Sequence, residues 1–178
     1  MLTRTPSQTV GPYFSFLLRD VGSELVSPDA PGAVRIRGRV LDGAGDAVPD
    51  AMLEIWQANG EGRYADQGDA RFTGFGRGST DEDGWFEFVT VKPGVVSVPE
   101  GRPQGPHIAV SVFARGLLKR LVTRIYFPDE EAANADDPVL SSIEHPEARA
   151  TLVAEQENGW LRFDVHLQGD RQTTFFDV

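Results

Sequence analysis

The stretch GPHIAVSVFARG, residues 105–116, alternates as a strand does. Side chains two apart on a strand face the same way. Ile108, Val110, Val112 and Ala114 therefore make a core face, and His107, Ala109, Ser111, Phe113 and Arg115 make the other. That second face is mixed, with an imidazole at one end and a guanidinium at the other. It suits a pocket wall, an interface or the second side of a sandwich.

The neighbouring segments repeat the pattern. AVRIRGRVLD (33–42) alternates apolar and basic, and MLEIWQAN (52–59) alternates around Leu53, Ile55 and Trp56. DEDGWFEFVTV (81–91) reads as turn then strand, and RLVTRIYF (120–127) as another strand. In TLVAEQENGWLRFDVHLQG (151–169), Asn158-Gly159 marks a hairpin between two strands. TTFFDV (173–178) reads as a last strand. GAGDAVPDA (43–51) is a turn, while the first ~30 residues and GVVSVPEGRPQGP (94–106) read as long ordered loops. Only DEEAANADDPVLSSIEHPEA (129–148) has helical character, cut short by Pro138 and Pro146; its acidic part reads as a solvated face. The expected fold is all-β: one antiparallel β-sandwich domain over residues 1–178, with an N-terminal arm of about 30 residues.

Bulk properties narrow the function. A chain of 178 residues can bury a real core. Its net charge of -10 disfavours nucleic acid and anionic membrane as partners. No cysteine is present, which removes disulfides, thiolate metal sites and a cysteine nucleophile. Gly11, Pro12 and Ser15 interrupt the apolar start, so it does not read as a signal peptide, and no stretch is long enough to span a bilayer. A cytoplasmic location is the expectation.

Two histidines at 107 and 109 would form a common metal-holding pair, but Ala109 breaks it. His145 lies in a proline-bounded turn and His166 on a late strand; hydrogen-bonded structural roles are the simpler reading for both.

TPSQTVGPY (5–13), LEIWQAN (53–59), GEGRY (60–64), TVKPG (90–94), GPHIAVSVFARG, TRIYF (123–127) and FFDV (175–178) occur in this order. Together they resemble the intradiol ring-cleavage dioxygenases over nearly the whole chain. The resemblance implies a β-sandwich and, on the catalytic chain, a non-haem ferric iron held by two tyrosines and two histidines. Here His107 matches the first histidine and Ala109 stands at the second. Val95 and Val96 occupy the loop of one tyrosine, and Phe72 is the best match for the other; Tyr64 matches the strand before that ligand, not the ligand. Valine, phenylalanine and alanine offer no lone pair. His107 is thus a vestigial metal position, no metal is expected on this chain, and no catalytic residue on this chain alone. The resemblance implies an alpha subunit whose beta subunit holds the ferric iron in a hetero-oligomer, with a benzoate bearing two adjacent hydroxyls and dioxygen as substrates.

On that reading the chain completes its partner's substrate pocket. Thr9, Gly11, Pro12 and Tyr13 match a loop that lies against the partner's iron pocket, and Arg115 matches an arginine near the substrate entrance. A guanidinium suits a carboxylate; a salt bridge to a surface carboxylate is the bland alternative for Arg115. Arg124 is a second candidate that could instead pair within the sheet. Trp56 and Tyr126 fit core or interface aromatics, and Trp85, Trp160 and the TTFFDV tail fit core and subunit packing. The competing readings are a non-enzymatic β-sandwich binding module and a self-sufficient enzyme using His107, His145, His166 and a tyrosine.

Overall fold

The computed structural model describes residues 6–11, 14, 18, 22–67, 72–99 and 101–177. Two sheets face each other. One has the order β4 (Trp85–Val91), β1 (Ala33–Leu41), β8 (Trp160–Arg162), β7 (Glu155–Glu157), with β9 (Val165–His166) also on β1. The other has the order β3 (Phe75–Ser79), β2 (Met52–Gln57), β5 (His107–Phe113), β6 (Leu121–Tyr126). The second sheet is antiparallel throughout. The first is mixed, because β8 and β9 run parallel to β1. A parallel return needs a long crossover, and α1 (Glu131–Asp136), α2 (Pro138–Ser142) and α3 (Pro146–Ala150) lie in the connection that precedes β7.

The core forms from the alternating faces. Ile36, Val40, Phe86, Phe88 and Leu161 come from the first sheet, and Leu53, Ile55, Ile108, Val110, Val112 and Ile125 from the second; all are buried. Asn158 and Gly159 both have positive φ, 47° and 85°, and join β7 to β8 as the sequence predicts. Pro138 and Pro146 each sit in the first turn of a short helix, where a missing N–H costs nothing.

Four details depart from the sequence expectations. β3, FGRGS, goes unread because its core side is Gly76 and Gly78, which carry no apolar side chain to mark the period. The tail reduces to one bridge, Phe176 on Val122, with Thr123 Oγ1 donating to the Thr174 carbonyl at 2.8 Å. The acidic stretch is solvated over α1, which buries no residue, yet its last member, Asp137, is fully buried. Trp85 and Trp160 are not core residues: they interleave with Arg37 and its neighbours on the outer face of the first sheet, Arg37 lying 5.6 Å and 5.4 Å from the two ring centres.

Gly38 in β1 marks where the chain after β8 crosses closest to β1. A Cβ there would lie 1.7 Å from the Phe163 carbonyl oxygen and 2.9 Å from the Phe86 ring. Backbone cannot yield as a flexible side chain does. Gly38→Ala is therefore expected to destabilise the chain by about 3 kcal/mol or more. A fall in the urea midpoint at constant m would register it; an unchanged midpoint would contradict this packing.

Candidate functional site

β5 ends at Phe113, so Arg115 falls in the turn beyond the strand rather than on its face. Arg115 is exposed and its Nε ion-pairs with the Asp50 carboxylate. The next residue, Gly116, donates its N–H to Thr9 Oγ1 at 3.3 Å. The N-terminal arm thus lies against the Arg115 turn, bringing two of the predicted site segments together. Gly11, two residues on, has φ +77° and open space around its α-carbon, a backbone state that L side chains rarely adopt. Pro12 and Tyr13 lie outside the described residues.

The His107 end of β5 is a separate place. His107 is 2 % exposed. Its Nδ1 lies 2.8 Å from the Gly105 carbonyl, and its ring centre 5.7 Å from that of Tyr126 across the β5–β6 pair. Burial, and then the Arg124 charge, hold its pKa at about 4, well below the ordinary histidine value. Tyr126 is fully buried; burial pushes its phenol up while Arg124 pulls it down. The Tyr126 hydroxyl accepts from Arg124 Nη1 at 3.1 Å and donates to Asp137 Oδ1 at 3.1 Å. Arg124 Nη1 also donates to Gln104 Oε1 at 3.0 Å.

The other predicted vestigial positions divide. Ala109 pairs across strands with Trp56 on one side and Arg124 on the other. Trp56 is 42 % exposed and stacks on Tyr64, ring centres 5.9 Å apart and planes 7° from parallel. Burial raises the Tyr64 pKa, and the Arg124 charge opposes that rise. Val96 is buried and bridges Gln104, whereas Val95 is exposed. Phe72 lines a cleft of about 820 Å³ with Leu25, Val26, Asn59, Arg63 and Lys92, a set that does not include His107. His166 lies in another small cavity beside Arg171 and Thr173, and His145 is exposed beside Glu147. Arg124, the second candidate, pairs within the sheet with Tyr126 and beside it with Gln104; its place directly opposite Ala109 is something a register, not a single strand, reveals.

The fold is a two-sheet sandwich with an imidazole on a central strand of the second sheet. A family profile described as "Dioxygenase" matches residues 11–169, and the chain belongs to the intradiol dioxygenase family. Over 99 % of its length it is 45 % identical to the protocatechuate 3,4-dioxygenase alpha chain of Burkholderia cepacia, covering 98 % of that relative. It is also 38 % identical, over 75 % of its length and 63 % of the relative's, to the protocatechuate 3,4-dioxygenase beta chain of the same organism. Among solved structures it resembles the dioxygenase domain of a dioxygenase carbohydrate-binding protein fusion from Streptomyces sp. SirexAA-E, with TM-score 0.60 and 27 % identity over 94 % of this chain and 99 % of that one. Near-full-length homology to a named enzyme chain replaces the reading as a non-enzymatic binding module. No helix among the described residues is long and apolar enough to cross a membrane.

The family generally depends on ferric iron, and the residues around His107 do not fit that ion. The imidazole's Nδ1 already faces the Gly105 carbonyl, Ala109 and Val96 provide no donor, and a permanent guanidinium cation sits on the adjacent strand. Among the described residues no group of three or more His, Cys, Asp or Glu is arranged to hold a metal.

The neutral state of His107 has a measurable consequence. Its folded pKa, about 4, lies below the unfolded 6.5, so the unfolded chain takes up the proton first. This contribution is fully present above pH 6.5 and is lost as pH falls toward 4, amounting to about 3 kcal/mol. Unfolding free energy of the isolated chain should fall over that window, and His107→Gln should flatten the fall. Equal slopes in both proteins would show that His107 is not held neutral.

Proposed function

We propose that this chain is the non-metal alpha subunit of a protocatechuate 3,4-dioxygenase, completing a substrate pocket on a beta chain that holds the ferric iron. The assembled enzyme would cleave protocatechuate between its two hydroxyl-bearing carbons, adding both atoms of dioxygen to give 3-carboxy-cis,cis-muconate. The observation that carries the reading is the Thr9–Gly116 hydrogen bond, which ties the arm to the turn bearing Arg115. The near-full-length similarity to an alpha chain supports it, as does a related beta chain in the same organism as that relative.

The division of labour follows from the chemistry of each group. The resemblance assigns a wall of the pocket to Thr9, Gly11, Pro12 and Tyr13: glycine permits a left-handed turn, proline carries little backbone freedom to lose, and a tyrosine ring with one hydroxyl suits an aromatic diol. Arg115 supplies positive charge for the substrate carboxylate in a chain of net charge -10. Its Nε pairs with Asp50, and the same guanidinium carries further N–H donors that suit a second carboxylate.

Expression of this chain alone and with a beta partner tests the assignment. Iron and oxygen uptake with protocatechuate are expected only in the co-expressed complex; iron and turnover in the lone chain would overturn it. Within the complex, Arg115→Gln should raise KM for protocatechuate about tenfold or more, the size of a charge-assisted hydrogen bond, and leave KM for catechol, which has no carboxylate, nearly unchanged. Tyr13→Ala should raise KM or lower kcat for both. Unchanged kinetics in an intact complex would remove these residues from the pocket.

A further inference from the structure

Arg35, Arg37 and Arg39 alternate along β1 and so share the outer face of the first sheet. Two indoles stand between them. The order is Arg35, Trp160, Arg37, Trp85, Arg39, with successive guanidinium-to-ring distances of 5.7, 5.4, 5.6 and 5.6 Å. Three cations of this face are engaged by oxygen. Arg37 and Arg162 share Glu157, Arg162 also holds Asp164, and Arg39 Nε donates to the Asp83 carbonyl at 2.9 Å. Arg35 differs. It is exposed, it lies over the Trp160 ring, and among the described residues no carboxylate pairs with it.

A notch of about 160 Å³ opens at the Arg35 end. Arg35 and Trp160 line it from the sheet, and Lys92, Phe127 and Asp129 line it from the margin. The acid in this notch is already committed: Lys92 Nζ holds Asp129 at 2.7 Å and Glu130 at 2.6 Å. Glu131, the first residue of α1, is exposed and has no cationic partner among the described residues. An unpaired cation and an unpaired carboxylate therefore stand beside one notch, next to a tryptophan. Tryptophan and arginine are the residues most enriched at the centres of protein interfaces.

We propose that this end of the first sheet docks a second copy of the chain about a two-fold axis through the notch. A two-fold contact joins the same patch on both copies, so the patch must offer both members of each pair. This one does: Arg35 of each copy meets Glu131 of the other, with Trp160 between the two pairs. Charge sets the choice of occupant. Two copies of net charge -10 repel at long range, so they associate only where a local match of sign is made twice. The surface is separate from the Thr9–Arg115 segment. Six residues of strand, about 20 Å, run from Arg35 to Leu41. The Val48 N–H donates to the Val40 carbonyl at 2.9 Å, which keeps the turn before Asp50, the partner of Arg115, at the far end of β1. A molecule docked at the arm therefore leaves the notch open to a second copy.

Sedimentation velocity of the full chain tests this. A dimer is expected in dilute salt, dissociating as salt screens the pairs. Arg35→Glu and Glu131→Lys should each weaken dimerisation about tenfold or more, since each reverses one member of both pairs. The double variant Arg35→Glu/Glu131→Lys restores both pairs with the signs exchanged and should dimerise as the parent does. Both residues are exposed, so an unchanged urea midpoint shows that each variant folds. Three results would overturn the proposal: a monomer in dilute salt at submillimolar chain, a dimer indifferent to Arg35→Glu, or no recovery in the double variant. In the co-expressed complex, Arg35→Glu should leave the beta chain bound one to one and lower only the number of pairs per assembly. Loss of the beta chain instead would give this face to that partner and overturn the second-copy assignment. The kinetics of the Arg115 and Tyr13 variants are an independent reading, so failure here leaves the subunit assignment untouched.

Discussion

One fully buried carboxylate organises the end of the sandwich that holds His107, Tyr126 and Arg124. Asp137 accepts hydrogen bonds from the Gly105 N–H at 2.8 Å, the Val139 and Leu140 N–H groups at 2.8 and 2.9 Å, and the Tyr126 hydroxyl at 3.1 Å. A buried carboxylate is tolerable only with its oxygens this well satisfied. Its four donors come from the loop before β5, from β6 and from α2. Each of those elements is therefore held relative to the others through a single side chain. Tyr126 passes the constraint to Arg124, and Gly105 passes it to His107 through its carbonyl.

The outcome is a site whose electrostatics run opposite to a metal centre. A metal centre gathers lone pairs around a cation. Here a protein cation sits beside a neutral imidazole, and the tyrosine on this face is engaged in a hydrogen-bond relay rather than presented as a phenolate. Buried Val96 and the small Ala109 pack on this side of the sandwich without offering a donor to an ion. The face did not collapse, because its order comes from Asp137 and from the sheet register. In this it differs from small metal-folded domains, where the ion itself is the organising contact.

The strands that alternate cleanly were legible: β1, β2, β4, β5 and β6 fall where their apolar period predicts, and the Asn158-Gly159 hairpin where its turn residues do. β3 was not, since glycine on the core side leaves no period to see. The parallel placing of β8 and β9 on β1 was not either, because pairing direction is a property of where the chain returns. The motif order pointed to the family and, separately, to the arm and to Arg115; that the arm meets the Arg115 turn is a contact the sequence does not carry. A one-strand reading sees Arg124 as an in-sheet residue; the register adds that it stands across from Ala109, and its Nη1 reaches the Tyr126 hydroxyl that Asp137 holds.

By itself, then, the sequence determined the fold class and the family, both of which depend on residue type and order along one strand or loop. Only the tertiary structure decided that Asp137 is buried among four donors, that Trp85 and Trp160 lie among arginines outside the core, and that Arg124, Ala109 and Trp56 form one row. These are relations between strands distant in the chain. They depend on register and on which groups exclude water, and a local pattern of side chains carries neither.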